Sequence, residues 1–484
     1  MENQQYFNFS GGMNSQASAM LLDENECELA VNIELNEIGA LTKRPGYVTF
    51  DVPAADSEVR SIWSRDGVVY VCLANGNIYK RVNETSGWEL DYTFGFAPQV
   101  VRFANFVDRV FAVDFNSTQN MLSTDGDGWD GTWSLNRRAT FIAVYQARLY
   151  AASSRNLTGQ RSRVWFSSLP DPSTREIEWD ITPTLEDDND AGWFEVNPGD
   201  GDEITALENN GNRLLIFKNR ALYRWNFGQI EPDRLIGVGT SSQESVKTNF
   251  DVGATFFANQ NGIYTYTGER PRLISRRIQK YVDAVTGWGA VYGEVDNDHY
   301  YLFVGDLEVE GRTIPNAMFV YNIALDAWTI YSFNHRVTWM HRMEVQESNR
   351  LKVYFGTENG QLYEMNNGTT DAGEPINMEF RSREHMLTFP NSATFDRVDV
   401  FARQRGTTQV LMDVDRYNEP ATLGQLEQRV TSLRASDIRT GNSIRVYLND
   451  NSPNKALIEG YNIEYTPITR RNENTNRTRK YGNQ

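Results

Sequence analysis

The stretch Asp125-Gly126-Asp127-Gly128-Trp129-Asp130 places three carboxylates on a glycine-rich turn. Hard cations want several oxygen ligands, so Asp125, Asp127 and Asp130 are the sequence's metal candidates. The spacing is not that of a helix-loop-helix calcium site. Aligning Gly128 with the obligatory glycine puts Ser123 in the first ligand position and Ser134 in the last. A structural turn is the competing reading. The acidic stretches Glu186-Asp187-Asp188-Asn189-Asp190 and Asp200-Gly201-Asp202-Glu203 read as solvated loops rather than ligand sets.

Other chemistry leaves little trace. No glycine-rich loop ends in Lys-Ser or Lys-Thr, and no Gly-x-Ser-x-Gly elbow is present. Gly237-Val238-Gly239 supplies two glycines of a dinucleotide fingerprint, but in a context of strands. The turn at Ser123 and Asp125 partly resembles the Asp-box of sialidase-like propellers. Asp127 stands where that motif has glycine, and Trp129 comes one residue early. A carboxylate pair for glycoside cleavage is defined by its separation in space, which spacing along the chain does not give. The 59 aromatic residues lie mostly in strand runs, where core packing accounts for them; exposed ones would stack on sugars or bases. The expectation is a protein without catalytic residues and without a cofactor.

Charge narrows the partners. The chain carries 47 Lys plus Arg against 64 Asp plus Glu, a net charge of -17. That balance argues against a protein that grips nucleic acid through its phosphates. Two cysteines, Cys27 and Cys72, exclude a disulfide scaffold and a cysteine-based zinc module. Only four histidines, His299, His335, His341 and His385, are present, so a His-rich metal site is not expected. The first residues lack a basic segment followed by an apolar one, and the longest apolar run is Val68 to Ala74. The expectation is a soluble chain made in a reducing cytoplasm. Of the 47 basic residues 39 are Arg, the residue suited to bidentate ion pairs at interfaces.

The elements that must position these residues are strands. Val68 to Leu73, Asn75-Gly76 and Asn77-Ile78-Tyr79 form a hairpin pattern, as do Arg213 to Phe217 with Ala221-Leu222-Tyr223, Thr255-Phe256-Phe257 with Ile263-Tyr264, and Lys352 to Phe355 with Leu362-Tyr363. Apolar runs open after polar turns around Val69, Val110, Leu149, Leu214, Thr255, Tyr301 and Leu351, at steps of 39 to 65 residues. This period suits a β-propeller of six or seven blades, in which radial stacking buries the faces that one small sheet leaves open. A large β-sandwich is the alternative. The 44 asparagines suit a chain rich in turns.

Domain boundaries follow. Residues 1–55 read as an extended segment with a short helix possible between Asp23 and Leu35. Residues 56–370 read as the propeller. Asn366 to Gly373 reads as a linker. Residues 371–467 alternate apolar and polar side chains, as in Arg397 to Ala402 and Ser443 to Leu448, and suggest a C-terminal β-sandwich. Residues 468–484 read as a flexible basic tail with Arg470, Arg471, Arg477, Arg479 and Lys480.

The first fifty residues carry a resemblance. Phe9-Ser10-Gly11-Gly12-Met13-Asn14, then Asn25-Glu26, then Ala30-Val31-Asn32, then Leu41-Thr42-Lys43-Arg44-Pro45-Gly46-Tyr47 together resemble the opening of tail hub, or nozzle, proteins of short-tailed bacteriophages, of the packaged-DNA-stabilisation type. The resemblance implies a virion protein forming a ring, usually a homo-hexamer, below the portal and adaptor. That ring retains packaged double-stranded DNA and conducts it on ejection without specific binding. Tail needle, spike or fibre proteins are further partners it implies; a lipid anchor is not expected. An acidic lumen would repel the DNA backbone over about 10 Å. Arg44, Tyr47 and the basic residues of the tail are candidates for docking on neighbouring subunits. The alternative is a carbohydrate-binding or glycosidase-type propeller.

Overall fold

A computed structural model describes residues 1–35, 39–51, 53, 57–83, 87–116, 118–131, 138–153, 160–179, 190–226, 229–232, 238–344, 351–388, 391–415 and 420–468, except the side chains of 229–232 and 435–438. The chain forms two compact units. One is residues 44–374; the other joins residues 1–43 to residues 375–484.

Residues 44–374 are a β-propeller. Hairpins with short polar turns repeat along it, as at Val68–Leu73 and Asn77–Arg81, where Gly76 adopts a φ of +91° that side-chain-bearing residues rarely take. Six four-stranded antiparallel sheets stand as separate blades. Their innermost strands are Val59–Arg65, Val101–Phe106, Phe141–Tyr145, Ile204–Asn209, Lys247–Asn249 and Val337–Glu344. Between the last two lies a seventh meander of the same order, Tyr292–Val295, His299–Val309, Arg312–Asn322 and Ala327–Ser332. Innermost strands touch their neighbours in cyclic order, and the first also meets the last. The seven positions at which the sequence repeat opens all fall on the second strand of a meander.

Apolar side chains from adjacent blades share cores. Tyr70, Cys72 and Phe94 of the first blade pack with Phe103, Val110 and Leu122 of the second. Tyr145 and Tyr150 of the third pack with Leu214, Ile216 and Trp225 of the fourth. Burying each such side chain is worth roughly 1.5–3 kcal/mol, and only a neighbour supplies that burial.

The ring is closed by its own beginning. Tyr47–Asp51 adds as the fourth strand of the last blade, antiparallel to Leu362–Met365. Tyr47 is fully buried against Phe333, Phe355 and Tyr363. Beside it, buried Arg44 donates to both carboxylate oxygens of Asp371, at 2.8 and 2.6 Å, and to the Ser332 carbonyl at 2.9 Å. Its guanidinium also lies over Tyr331 and Phe333. Gly46 is obligatory here because a Cβ would come within 1.9 Å of the Thr370 carbonyl oxygen.

Several expectations change at this closure. Arg44 and Tyr47 are not surface docking residues, because both are consumed inside the propeller. Nor is the stretch 366–373 a linker: Asn367 donates to the Gly46 carbonyl, and Tyr47 to that of Thr370. Residues 1–55 are not one segment, since 1–43 belong with the C-terminal residues while 44–51 belong to the propeller.

The second unit holds two sheets. In one, Val430–Gly441, Ala393–Arg405, Ala456–Pro467, Leu41–Lys43 and Ile33–Leu35 follow in that order, and Glu2–Tyr6 also pairs with Ala456–Pro467. The other contains Glu26–Val31, Ile376–Ser382, Ile444–Ser452, Gln409–Val414 and Ala421–Gln425, with Gly12–Met13 parallel to Glu26–Val31. The helix expected between Asp23 and Leu35 is therefore two strands. The run Cys27 to Leu35 is almost wholly buried, and a continuous buried run lacks the polar face that would identify it as a strand or a helix by period. Lys43 is buried and donates to Asp450 at 2.7 Å and to the Ser452 carbonyl at 2.5 Å. Residues 469–484, with Arg470, Arg471, Arg477, Arg479 and Lys480, lie outside the described residues.

Removing one partner of a buried bidentate pair strands the other charge. Arg44→Met is expected to lower stability by about 3–5 kcal/mol, and Arg44→Met with Asp371→Leu to recover much of that. Urea denaturation measures both; equal losses in the single and double variants would show that the charge pairing is not what matters.

Candidate functional site

The innermost strands surround the propeller axis, and side chains that cross from blade to blade concentrate there. Ser61 donates to the Val101 carbonyl at 2.5 Å, joining the first blade to the second. Arg102 continues to the third: it donates to the Thr140 carbonyl at 3.0 Å and lies over the Phe141 ring, and its other amine meets Glu244 at 2.6 Å. Asn209 of the fourth blade donates to the Val144 carbonyl of the third at 2.8 Å. Gln243, just before the fifth blade, donates to the Leu207 carbonyl of the fourth at 2.9 Å and accepts the Leu207 N–H at 2.7 Å. Lys247 then reaches Glu294 of the next meander at 3.4 Å. Glu294 accepts the Arg342 backbone N–H at 3.0 Å. His341, next to Arg342, stacks on Trp63 of the first blade with centroids 4.6 Å apart, and the Trp63 indole donates to Asn105 of the second at 2.7 Å. Each junction thus has a side-chain tie.

The electrostatics at this hub are unusual for an acidic chain. Burial pushes the Glu208 carboxyl up to about 7, against the pull of Lys247 and Thr248. Burial, with Lys247 in support, takes His341 down to about 3, so its ring is neutral near pH 7. Asp296 is held below the usual carboxylate range: burial opposes this, but His299 and the Tyr301 hydroxyl outweigh it. Chemically, the hub offers a carboxyl that exchanges a proton near neutrality beside an ammonium group.

The sequence candidates lie elsewhere. Asp125 is exposed and accepts the Asp127 backbone N–H at 3.2 Å. Arg109 approaches Asp125 at 3.1 Å and Asp130 at 3.9 Å. The Asp127 N–H first, then Arg109, hold the Asp125 carboxyl below its ordinary value. Lys80 caps the turn by donating to the Gly126 carbonyl, and Trp129 is tied to Asp91. The turn is thus fastened by cations and backbone. Among the described residues no group of three acidic, His or Cys side chains is placed to hold a metal ion. Asp200 of the second acidic stretch receives Lys218 at 2.8 and 2.9 Å; residues 186–189 lie outside the described residues.

Arginine is spent within the chain more than expected. Besides Arg44 and Arg102, Arg163 pairs with Glu195 at 2.7 Å, Arg397 with Asp399 and Glu464, and Arg445 with Glu28 and Glu384. The signal for the hub was present in the sequence as Glu208, Lys247, Glu294 and His341 interrupting strand runs. Linear spacing does not bring these four together; ring closure does.

No family model matches the chain, and no curated protein matches it. Among solved structures, the computationally designed Ika8 protein is similar over 66% of this chain and 99% of its own, at 11% identity and a TM-score of 0.38. YCF48 from Cyanidioschyzon merolae is similar over 66% of this chain and 98% of its own, at 11% identity and a TM-score of 0.39.

A carboxyl whose folded pKa exceeds its unfolded value stabilises the fold below the unfolded pKa and loses that contribution as pH rises through the folded one. The stability of the wild type relative to Glu208→Gln is therefore expected to fall by about 1–2 kcal/mol between pH 5 and pH 8. His341 and His385, both taken to about 3 by burial, work oppositely and lose stability as pH falls from 6.5, which is why the difference between the two proteins is the quantity to follow. A constant difference across the range would show that Glu208 titrates normally.

Proposed function

We propose that this chain is a structural component of a phage tail, a subunit of a ring below the portal and adaptor that retains packaged DNA and forms the channel for its ejection. In this reading the two-sheet unit is a β-sandwich, and the assembled protein resides in the virion. The observation that carries it is where the residues of the N-terminal resemblance lie. Gly11 packs so closely on Asn25 that a Cβ would meet it at 2.9 Å. Met13 is fully buried, and Asn14 donates to Glu26 at 2.9 Å. Asn32, at a φ of 55°, donates to the Asn377 carbonyl at 2.7 Å. Lys43, Arg44, Gly46 and Tyr47 complete the set. These residues are the framework of both units, which is what a motif of an assembly scaffold requires; none is arranged as a ligand or reaction site.

Charge supports the same reading. A conduit for a polyanion must not hold it, and a chain at -17 repels phosphates over roughly a Debye length of 10 Å. The basic residues Arg470, Arg471, Arg477, Arg479 and Lys480 are then candidates for docking on an acidic neighbour in the ring.

Negative-stain microscopy of the purified protein, alone and with its adaptor, is expected to show rings with sixfold symmetry. A monomer that binds a neutral glycan would overturn the proposal in favour of a sugar-binding propeller. Truncation before Thr469 is expected to weaken ring assembly, and assembly unchanged by the truncation would exclude a docking role for Arg470, Arg471, Arg477, Arg479 and Lys480.

A further inference from the structure

A groove of about 790 Å³ opens on the propeller between the outer parts of the fourth and fifth blades and the meander after them. That volume is in the range of small-molecule sites. Three arginines line it: Arg224 on Leu222–Asn226, and Arg270 and Arg272 at the start of the outer strand of the fifth blade. Among the described lining residues they face a single carboxylate, Glu269. On a chain of net charge -17 this local excess of cations runs against the average.

The arginines have fixed surroundings. Arg224 donates to the Gly268 carbonyl at 3.1 Å, which draws the fourth blade to the turn that carries Glu269 and Arg270. The Tyr321 hydroxyl donates to Asp326 at 2.6 Å, and the Arg272 charge lies close enough to act on it. The floor is Ala254, Phe256 and Tyr321, all buried. Phe256 is clamped by Tyr300, stacked at 5.1 Å, and by Tyr321 at 6.0 Å. The groove therefore sets the exposed Arg270 and Arg272 over a rigid, buried floor. Guanidinium forks match carboxylate and phosphate oxygens two at a time.

We propose that this groove binds an oxyanion, a carboxylate or phosphate group, with Arg270 and Arg272 as its contacts. The site is independent of the tail reading, because it needs nothing from a neighbouring subunit.

Isothermal titration with trigalacturonate, with inorganic phosphate and with neutral galactotriose tests it on the full-length chain. At least one of the two anions is expected to bind, more weakly as salt is raised, and the neutral sugar to bind poorly or not at all. Arg270→Gln with Arg272→Gln is expected to weaken that binding roughly tenfold or more, since each charge-assisted bond contributes on the scale of one decade. Both residues are exposed, so the fold tolerates the change; Arg276→Gln, exposed and outside the groove, should leave affinity unaltered. Trigalacturonate alone binding would identify an acidic saccharide as the source, and phosphate alone a phosphorylated ligand. No binding of either anion at millimolar concentration, or binding undiminished in the double variant, would overturn the proposal. Ring imaging does not depend on these residues, so this site and the tail reading fail separately.

Discussion

A ring of sheets has to end where it began, and here that closure rests on one buried ion pair. Arg44 and Asp371 are both almost fully enclosed. Taking a guanidinium and a carboxylate out of water costs several kcal/mol each, and that cost is recovered only in good geometry with further hydrogen bonds. Both conditions are met: two parallel N–H···O bonds, the Ser332 and Pro45 carbonyls, and the faces of Tyr331 and Phe333. The pair fixes the start of Tyr47–Asp51 and, with it, the register in which the last blade is completed. The preceding residue does the equivalent in the other unit, where Lys43 meets Asp450. Burial opposes ionisation of that aspartate, but the hydrogen bonds from Lys43 and Ser452 outweigh it and keep its pKa low. Two consecutive cations thus each anchor one unit.

Inside the ring, apolar and polar contacts divide the work. Aromatic and branched side chains fill the spaces between blades, where they are non-directional and tolerate small shifts. The ties around the axis are directional. They run from Ser61, Arg102, Asn209, Gln243, Lys247, Arg342 and Trp63 to the neighbouring blade. Such bonds add about 1 kcal/mol each, less than the cores supply. Their effect is to select one angular arrangement of blades among several that would bury similar area.

The repeat was legible because the second strand of every meander is a short, strongly β-forming run after a polar turn. Val69, Val110 and Leu351 announce themselves without any knowledge of the fold. The regions that misled were those where tertiary position overrides local character. Cys27 to Leu35 is too uniformly buried to show a strand period. Asn366 to Gly373 has the composition of a linker, yet its backbone is held by Gly46 and Tyr47 and its Asp371 is buried. Arg44 looked like a surface charge because arginine is rarely enclosed, and only a carboxylate 327 residues away makes its burial tolerable. The groove arginines Arg270 and Arg272 sit just before and at the start of a two-residue strand, and nothing local distinguishes them from solvated ones.

The discontinuity of the two-sheet unit has a temporal meaning. Its first 43 residues leave the ribosome long before residues 375–467, on which Glu2–Tyr6, Glu26–Val31 and Leu41–Lys43 depend for partners. At about 5–20 residues per second, translation of the intervening propeller takes roughly 15–65 s. Through that interval these strands lack their C-terminal partners, and Tyr47–Asp51 waits as well for Leu362–Met365. The two delays end close together, because the residues that close the propeller are followed at once by those that receive the N-terminal strands. Maturation of this chain is therefore gated by its last quarter, and a chain released early has neither unit complete.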